Sequence, residues 1–194
     1  GGSTTIIAGS LQVGNGGTAG SLGTATTVTD NGILSFNLSG NATVNASIVG
    51  TGSLVQKGTG TTILTAGNTY SGSTMVVGGN LTIGGLGQLG SGNYAGNIAI
   101  TNCILNYNSS AAQTLTGVIS GNGGVTVANG ILTLTRINPY PGATTINNGS
   151  LVGVVGGNCS NSAVTLAASG GKSAILSVLA NSNTKQWTCA SLTV

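Results

Sequence analysis

The chain has 194 residues and a net charge of +3, with one acid, four bases, no histidine and only 3% charged residues. General acid–base catalysis needs positioned titratable groups, glycoside hydrolysis two carboxyls, and a Ser-His-Asp arrangement a histidine. Clustered Cys and His for zinc and grouped carboxylates for calcium are missing too, so no catalytic, cofactor or metal residue is assigned and no enzyme is expected.

The bases Lys57, Arg136, Lys172 and Lys185 are scattered along the chain. Nucleic-acid binding needs a patch that neutralises several phosphates, so no nucleic-acid partner is expected. No run approaches the roughly 18–20 apolar residues of a membrane span, and no membrane insertion by this segment is expected. Disorder goes with low hydrophobicity and high net charge, whereas 39% of this chain is hydrophobic.

In chain order, short apolar/polar alternations bounded by Gly or Asn predict strands over 10–13, 25–29, 32–37, 42–49, 53–56 and 61–65. Further strands are predicted at 80–83, 97–100, 103–107, 124–127 and 131–135, then at 150–155, 163–167, 174–179 and 190–194. Period-two alternation turns Leu132 and Leu134 to one side and Thr133 and Thr135 to the other.

The chain repeats itself at long range. Ser3-Thr4-Thr5-Ile6-Ile7-Ala8-Gly9-Ser10-Leu11 returns as Ser73-Thr74-Met75-Val76-Val77-Gly78-Gly79-Asn80-Leu81, and again as Ala143-Thr144-Thr145-Ile146-Asn147-Asn148-Gly149-Ser150-Leu151. Both steps are 70 residues. Asn31-Gly32-Ile33-Leu34 matches Asn102-Cys103-Ile104-Leu105 at a step of 71 residues, and Ile175-Leu176 follows Ile104-Leu105 at 71 again. Strand-sized self-similarity at fixed spacing marks a solenoid. A propeller would repeat an aromatic blade motif, and a sandwich needs no such echo. The expected fold is all-β, a parallel β-helix in one domain over 1–194. It comprises three related units of about 70 residues at 3–72, 73–142 and 143–194, the last incomplete. Three coils per unit predict coils of about 23 residues, roughly eight in all, and a length of about 40 Å.

Residues Val49 to Thr65 run into Ala66-Gly67-Asn68-Thr69-Tyr70-Ser71-Gly72-Ser73-Thr74. This stretch resembles the autotransporter-associated β-strand repeat, also called the passenger-associated transport repeat. The shared pattern is G-x-G-x-L-x-K-x-G-x-G-x-x-x-L, then N-x-Y-x-G-x-T and a Gly-Leu strand. A second copy over 120–151 lacks a counterpart of Lys57 and has Pro139 and Pro141 around Tyr140. The resemblance implies a right-handed parallel β-helix and an extended, secreted passenger of a bacterial surface protein. It supplies no catalytic residues.

The repeated turn motif, Asn68, Tyr70 and Gly72 with Asn138, Tyr140 and Gly142, is expected to build corners, the tyrosines covering an end of the core. Cys159 and Cys189, a little over one estimated coil apart, are candidates for a disulfide, and Cys103 is left over. Thr-x-Thr pairs at Thr24/Thr26, Thr27/Thr29, Thr114/Thr116 and Thr133/Thr135 raise ice binding as a lesser alternative. Their gaps do not fit one coil length, and β-propensity explains them. Trp187 is expected to pack in a loop.

The functional expectation is a non-enzymatic extracellular or cell-surface structural module: a passenger stalk, adhesin scaffold or fibre subunit. The alternative is an adhesin module binding a glycan or surface. Partners are expected to be other copies, stacked head to tail on uncapped coil ends, or flanking coils of a longer chain.

Overall fold

The computed structural model describes residues 2–154, 156–179 and 187–194. Alternation dictates the local structure: Ile131–Leu134 runs exposed, buried, half-buried, buried, and Ser53–Gln56 turns Leu54 and Gln56 inward. Each strand is three to eight residues long in nearly every case, then stops at a Gly- or Asn-rich corner. Among the described residues there is no α-helix, only a 3-10 turn at Gly90–Gly92.

The strands stack in parallel on three faces, which the chain visits in turn. Face I begins with Thr4–Ile6, Thr27–Asp30 and Ser47–Val49. It resumes with Asn93–Tyr94, Gln113–Leu115, Ile131–Leu134, Gly149–Val154 and Ala174–Leu179. Residues 68–70 and Gln88 carry the stack across the gap: Thr69 N–H donates to Ile48 C=O, and Asn68 N–H to Gln88 C=O. Face II holds Ser10–Val13, Ile33–Phe36, Ser53–Gln56, Thr74–Val76, Ile98–Ile100 and Ile119–Gly121. Face III is eight strands deep: Ala42–Val44, Thr61–Leu64, Asn80–Gly85, Ile104–Ser109, Gly124–Asn129, Thr144–Ile146, Cys159–Leu166 and Cys189–Thr193. Eight layers at about 4.8 Å give a stack of roughly 35–40 Å, close to the expected length.

The coil length differs from the expected 23. Neighbouring coils are linked by hydrogen bonds at sequence separations of 20, 19 and, around Gln88 and Leu89, 24 residues. Seventy residues therefore cover three coils and one further face. Thr4 lies on face I opposite Val28, Thr74 on face II opposite Leu54, and Thr144 on face III opposite Val125. The second echo obeys the same rule: Leu34 is on face II, Leu105 on face III and Leu176 on face I. Each copy of the repeat is rotated by one face relative to the copy before it.

The core is a set of inward columns running along the axis. Leu34, Leu54, Thr74, Ile98 and Ile119 stack on face II, and Leu64, Ile83, Tyr107, Val127 and Ile146 on face III. All are buried, each aliphatic side chain among them contributing about 1.5–3 kcal/mol when fully buried. Corners pack backbone on backbone. A Cβ at Gly79, where φ is +52°, would lie 1.9 Å from the Gly60 carbonyl oxygen, so only glycine fits there.

Candidate functional site

The repeated turn motif is buried, and its residues act within the fold. Asn68 is fully buried. Its Oδ1 accepts the Ile48 N–H at 3.0 Å, and its Nδ2 donates to the carbonyls of Ala66 at 2.8 Å and Gln88 at 3.0 Å. Asn138 repeats the arrangement, accepting from Ile119 N–H at 2.7 Å and donating to Arg136 C=O at 2.7 Å and Asn158 C=O at 3.0 Å. Each carboxamide stitches the coil below to the coil above. Gly72 and Gly142 make room for this stacking: a Cβ would lie 2.2 Å from Gly52 O and 2.1 Å from Gly123 O.

Contrary to the expectation from their place in a turn motif, the tyrosines do not cover an end of the core. They lie inside it, between coils. Tyr70 Oη meets Thr74 Oγ1 at 2.7 Å, and Thr74 Oγ1 meets Tyr94 Oη at 2.8 Å; Tyr94 Oη donates to Gly72 C=O. The Tyr70 and Tyr94 rings stand edge to face, 5.5 Å between centroids, a favoured aromatic geometry. In the next copy Tyr140 Oη meets Thr144 Oγ1 at 2.8 Å, Thr144 meets Ser162 Oγ at 2.7 Å, and Ser162 Oγ donates to Gly142 C=O at 2.6 Å. Ser162 takes the part of Tyr94. Burial pushes the phenols of Tyr70, Tyr94, Tyr107 and Tyr140 above the usual tyrosine range. These hydroxyls stay neutral at physiological pH and hold the interior together.

Asp30 is fully buried on face I. Its Oδ1 accepts the Gly32 N–H at 3.0 Å, while Oδ2 has no partner. Burial raises its pKa, and backbone hydrogen bonds oppose that only in part. The carboxylate sits beneath Gly52, where a Cβ would come within 2.3 Å of its carboxyl carbon. The carboxyl group is closed off from solvent. Among the described residues no group of three or more His, Cys, Asp or Glu side chains could hold a metal ion.

Cys159 and Cys189 are directly opposite each other on neighbouring face III strands. The expected bridge is nevertheless not formed: both are free thiols, as is Cys103. Burial, with Cys189 beside it, pushes Cys159 up to about 11. The thiol of Cys103 donates to Thr101 C=O at 2.9 Å. Trp187 packs against Gly153 and the core, as expected for packing; the preceding residues 181–186 lie outside the described residues.

Two of the Thr-x-Thr pairs do stack. Thr114 lies opposite Thr133, and Thr135 N–H donates to Leu115 C=O, setting Thr135 over Thr116. The 19-residue step between these coils makes this possible; a 23-residue coil would set the pairs out of register. The patch is two coils deep, because Val152 follows Thr133 in the column.

The corners with these stitches are where the comparisons fall. The passenger-associated-transport-repeat family matches residues 54–83 and 129–152, which bracket Asn68–Gly72 and Asn138–Gly142. The chain carries the passenger-associated transport repeat. It is also 34% identical, over 214 aligned residues and 77% of its length, to the adhesin BmaC autotransporter of Brucella suis biovar 1 (strain 1330). It spans about 6% of that relative's length. No solved structure matches. The two transport-repeat copies occupy successive faces, the Asn-x-Tyr-x-Gly corner being stacked on face I in the first and on face II in the second.

Proposed function

We propose that the chain is a structural segment of a bacterial surface passenger, a β-helical rod that spaces or displays adhesive surface without catalysing a reaction. The observation that carries this reading is the transport repeat lying in a three-faced stack of parallel coils, with its motif side chains spent on coil-to-coil hydrogen bonds. The similarity to a protein named as an autotransporter adhesin supports a cell-surface or secreted location. Low charge and a Thr/Asn-rich exterior suit a scaffold whose partner is more coils of the same kind, stacked head to tail along the axis. Antibodies raised against the chain should label intact cells of the producing bacterium. Labelling confined to permeabilised cells would overturn the surface assignment.

A further inference from the structure

Face III carries a groove that nothing in the repeat architecture requires. It crosses five coils and has a volume of about 400 Å³, within the usual range of ligand sites. Its floor is the outward column Thr82, Asn106, Thr126, set in register from coil to coil. Asn80 and Asn147 flank it, and the exposed side chain of Ile104 supplies an apolar shelf. Thr82 points outward yet is only 8% exposed, so the surface is hollowed there.

Two further observations give the ligand its chemistry. None of the eight strands of this face contains a charged residue, and the face therefore offers no ion to neutralise an anionic ligand. Asn106 is half-buried in the floor; its Nδ2 makes a long contact to Thr82 Oγ1 at 3.4 Å, while its Oδ1 is turned beneath the floor, buried and without a partner. A buried acceptor left unpaired costs free energy, and a turn of the half-buried carboxamide would bring it up to the groove, where a ligand hydroxyl can donate to it. Hydroxyls and carboxamides can both give and take hydrogen bonds, and a small apolar shelf suits the C–H face of a sugar ring. The strands are paired on both sides along the groove, so no backbone edge is available to an incoming peptide strand.

We propose that this groove binds a neutral glycan chain, with Asn106 and Thr126 donating to and accepting from sugar hydroxyls and Ile104 lying against a ring. The proposal rests on the reading of the chain as a surface passenger segment, which would meet glycans among other polymers. It is tested by titrating the purified chain calorimetrically with neutral hexasaccharides (cellohexaose, laminarihexaose, chitohexaose) and with an anionic heparin hexasaccharide. Binding is expected for at least one neutral probe and not for heparin. Ala128→Arg fills the groove from its wall without touching the core, and should weaken that binding by about tenfold or more. Thr114→Arg on face I should leave it unchanged, and unchanged circular dichroism in both variants shows that the fold is intact. Absence of neutral-glycan binding, preference for heparin, or indifference to Ala128→Arg would each overturn the proposal. Surface labelling of intact cells reads the passenger assignment separately, so the two can fail independently.

Discussion

Thr74 and Thr144 make the same hydrogen bond to the tyrosine four residues earlier, at 2.7 and 2.8 Å, yet stand on different faces of the solenoid. The local motif is thus preserved while its position around the axis advances. Both hydroxyls are buried and each links its tyrosine to a group one coil higher. Replacing Thr74 or Thr144 by Val keeps the shape and orphans the tyrosine hydroxyl. Each change should cost about 1–3 kcal/mol, and urea unfolding should show similar midpoint losses for the two. A large loss at one and none at the other would contradict their equivalence.

Asn68→Ala removes three hydrogen bonds that join three coils. The Ile48 N–H and two carbonyls are then left to find partners in a dry interior. A cost of about 2–4 kcal/mol is expected, with a matching loss for Asn138→Ala. Hydrogen exchange should quicken at Ile48 in the first variant and at Ile119 in the second, each remote from the other.

All four tyrosines have pKa values raised by burial. A raised pKa means the folded state holds the proton more tightly, so stability is fully present below the unfolded value near 10 and falls as pH climbs above it. The tyrosinate absorbance should therefore appear together with the loss of β-sheet circular dichroism on alkaline titration. Tyrosinate formation with the sheet signal intact would contradict the burial.

Asp30 behaves in the same sense. Its raised pKa means that the folded state binds the proton more tightly than the unfolded one, so stability falls as pH rises from about 4 toward the folded value. Asp30→Asn should raise the urea midpoint at pH 7 and remove the dependence that Asp30 imposes. A lower midpoint for the variant at pH 7 would show that the charged form is favoured inside.

Much of the fold was legible because alternation directly specifies which side of a strand is buried. Leu132 and Leu134 face inward and Thr133 outward, as the pattern requires. The 70-residue echo correctly indicated a solenoid. Its relation to the coil was not legible, because coils of 19, 20 and 24 residues share one repeat, and an average length conceals a fractional phase. Asn68 was recognisable as a corner residue, but its three partners belong to three different coils and carry no local signal. Tyr70 read as an end cover because it sits in a turn motif beside Gly72; the glycine instead brings the coils close enough to enclose the ring. The face III groove was hidden too, since Thr82, Asn106 and Thr126 are brought together only by the coil register.

The repeat advances by three coils and one face. It places Thr145 directly opposite Thr126 on face III, and not above Ser120, which continues the Met75 and Ala99 column on face II. Nitroxide labels on Thr126→Cys/Thr145→Cys and on Ser120→Cys/Thr145→Cys, with the three native cysteines replaced, measure this by continuous-wave electron paramagnetic resonance. Register neighbours have backbones about 4.8 Å apart, so the first pair should show strong dipolar broadening and the second much less. Strong broadening in the Ser120/Thr145 pair and little in the Thr126/Thr145 pair would show instead that the repeat closes on whole coils, with no advance from face to face.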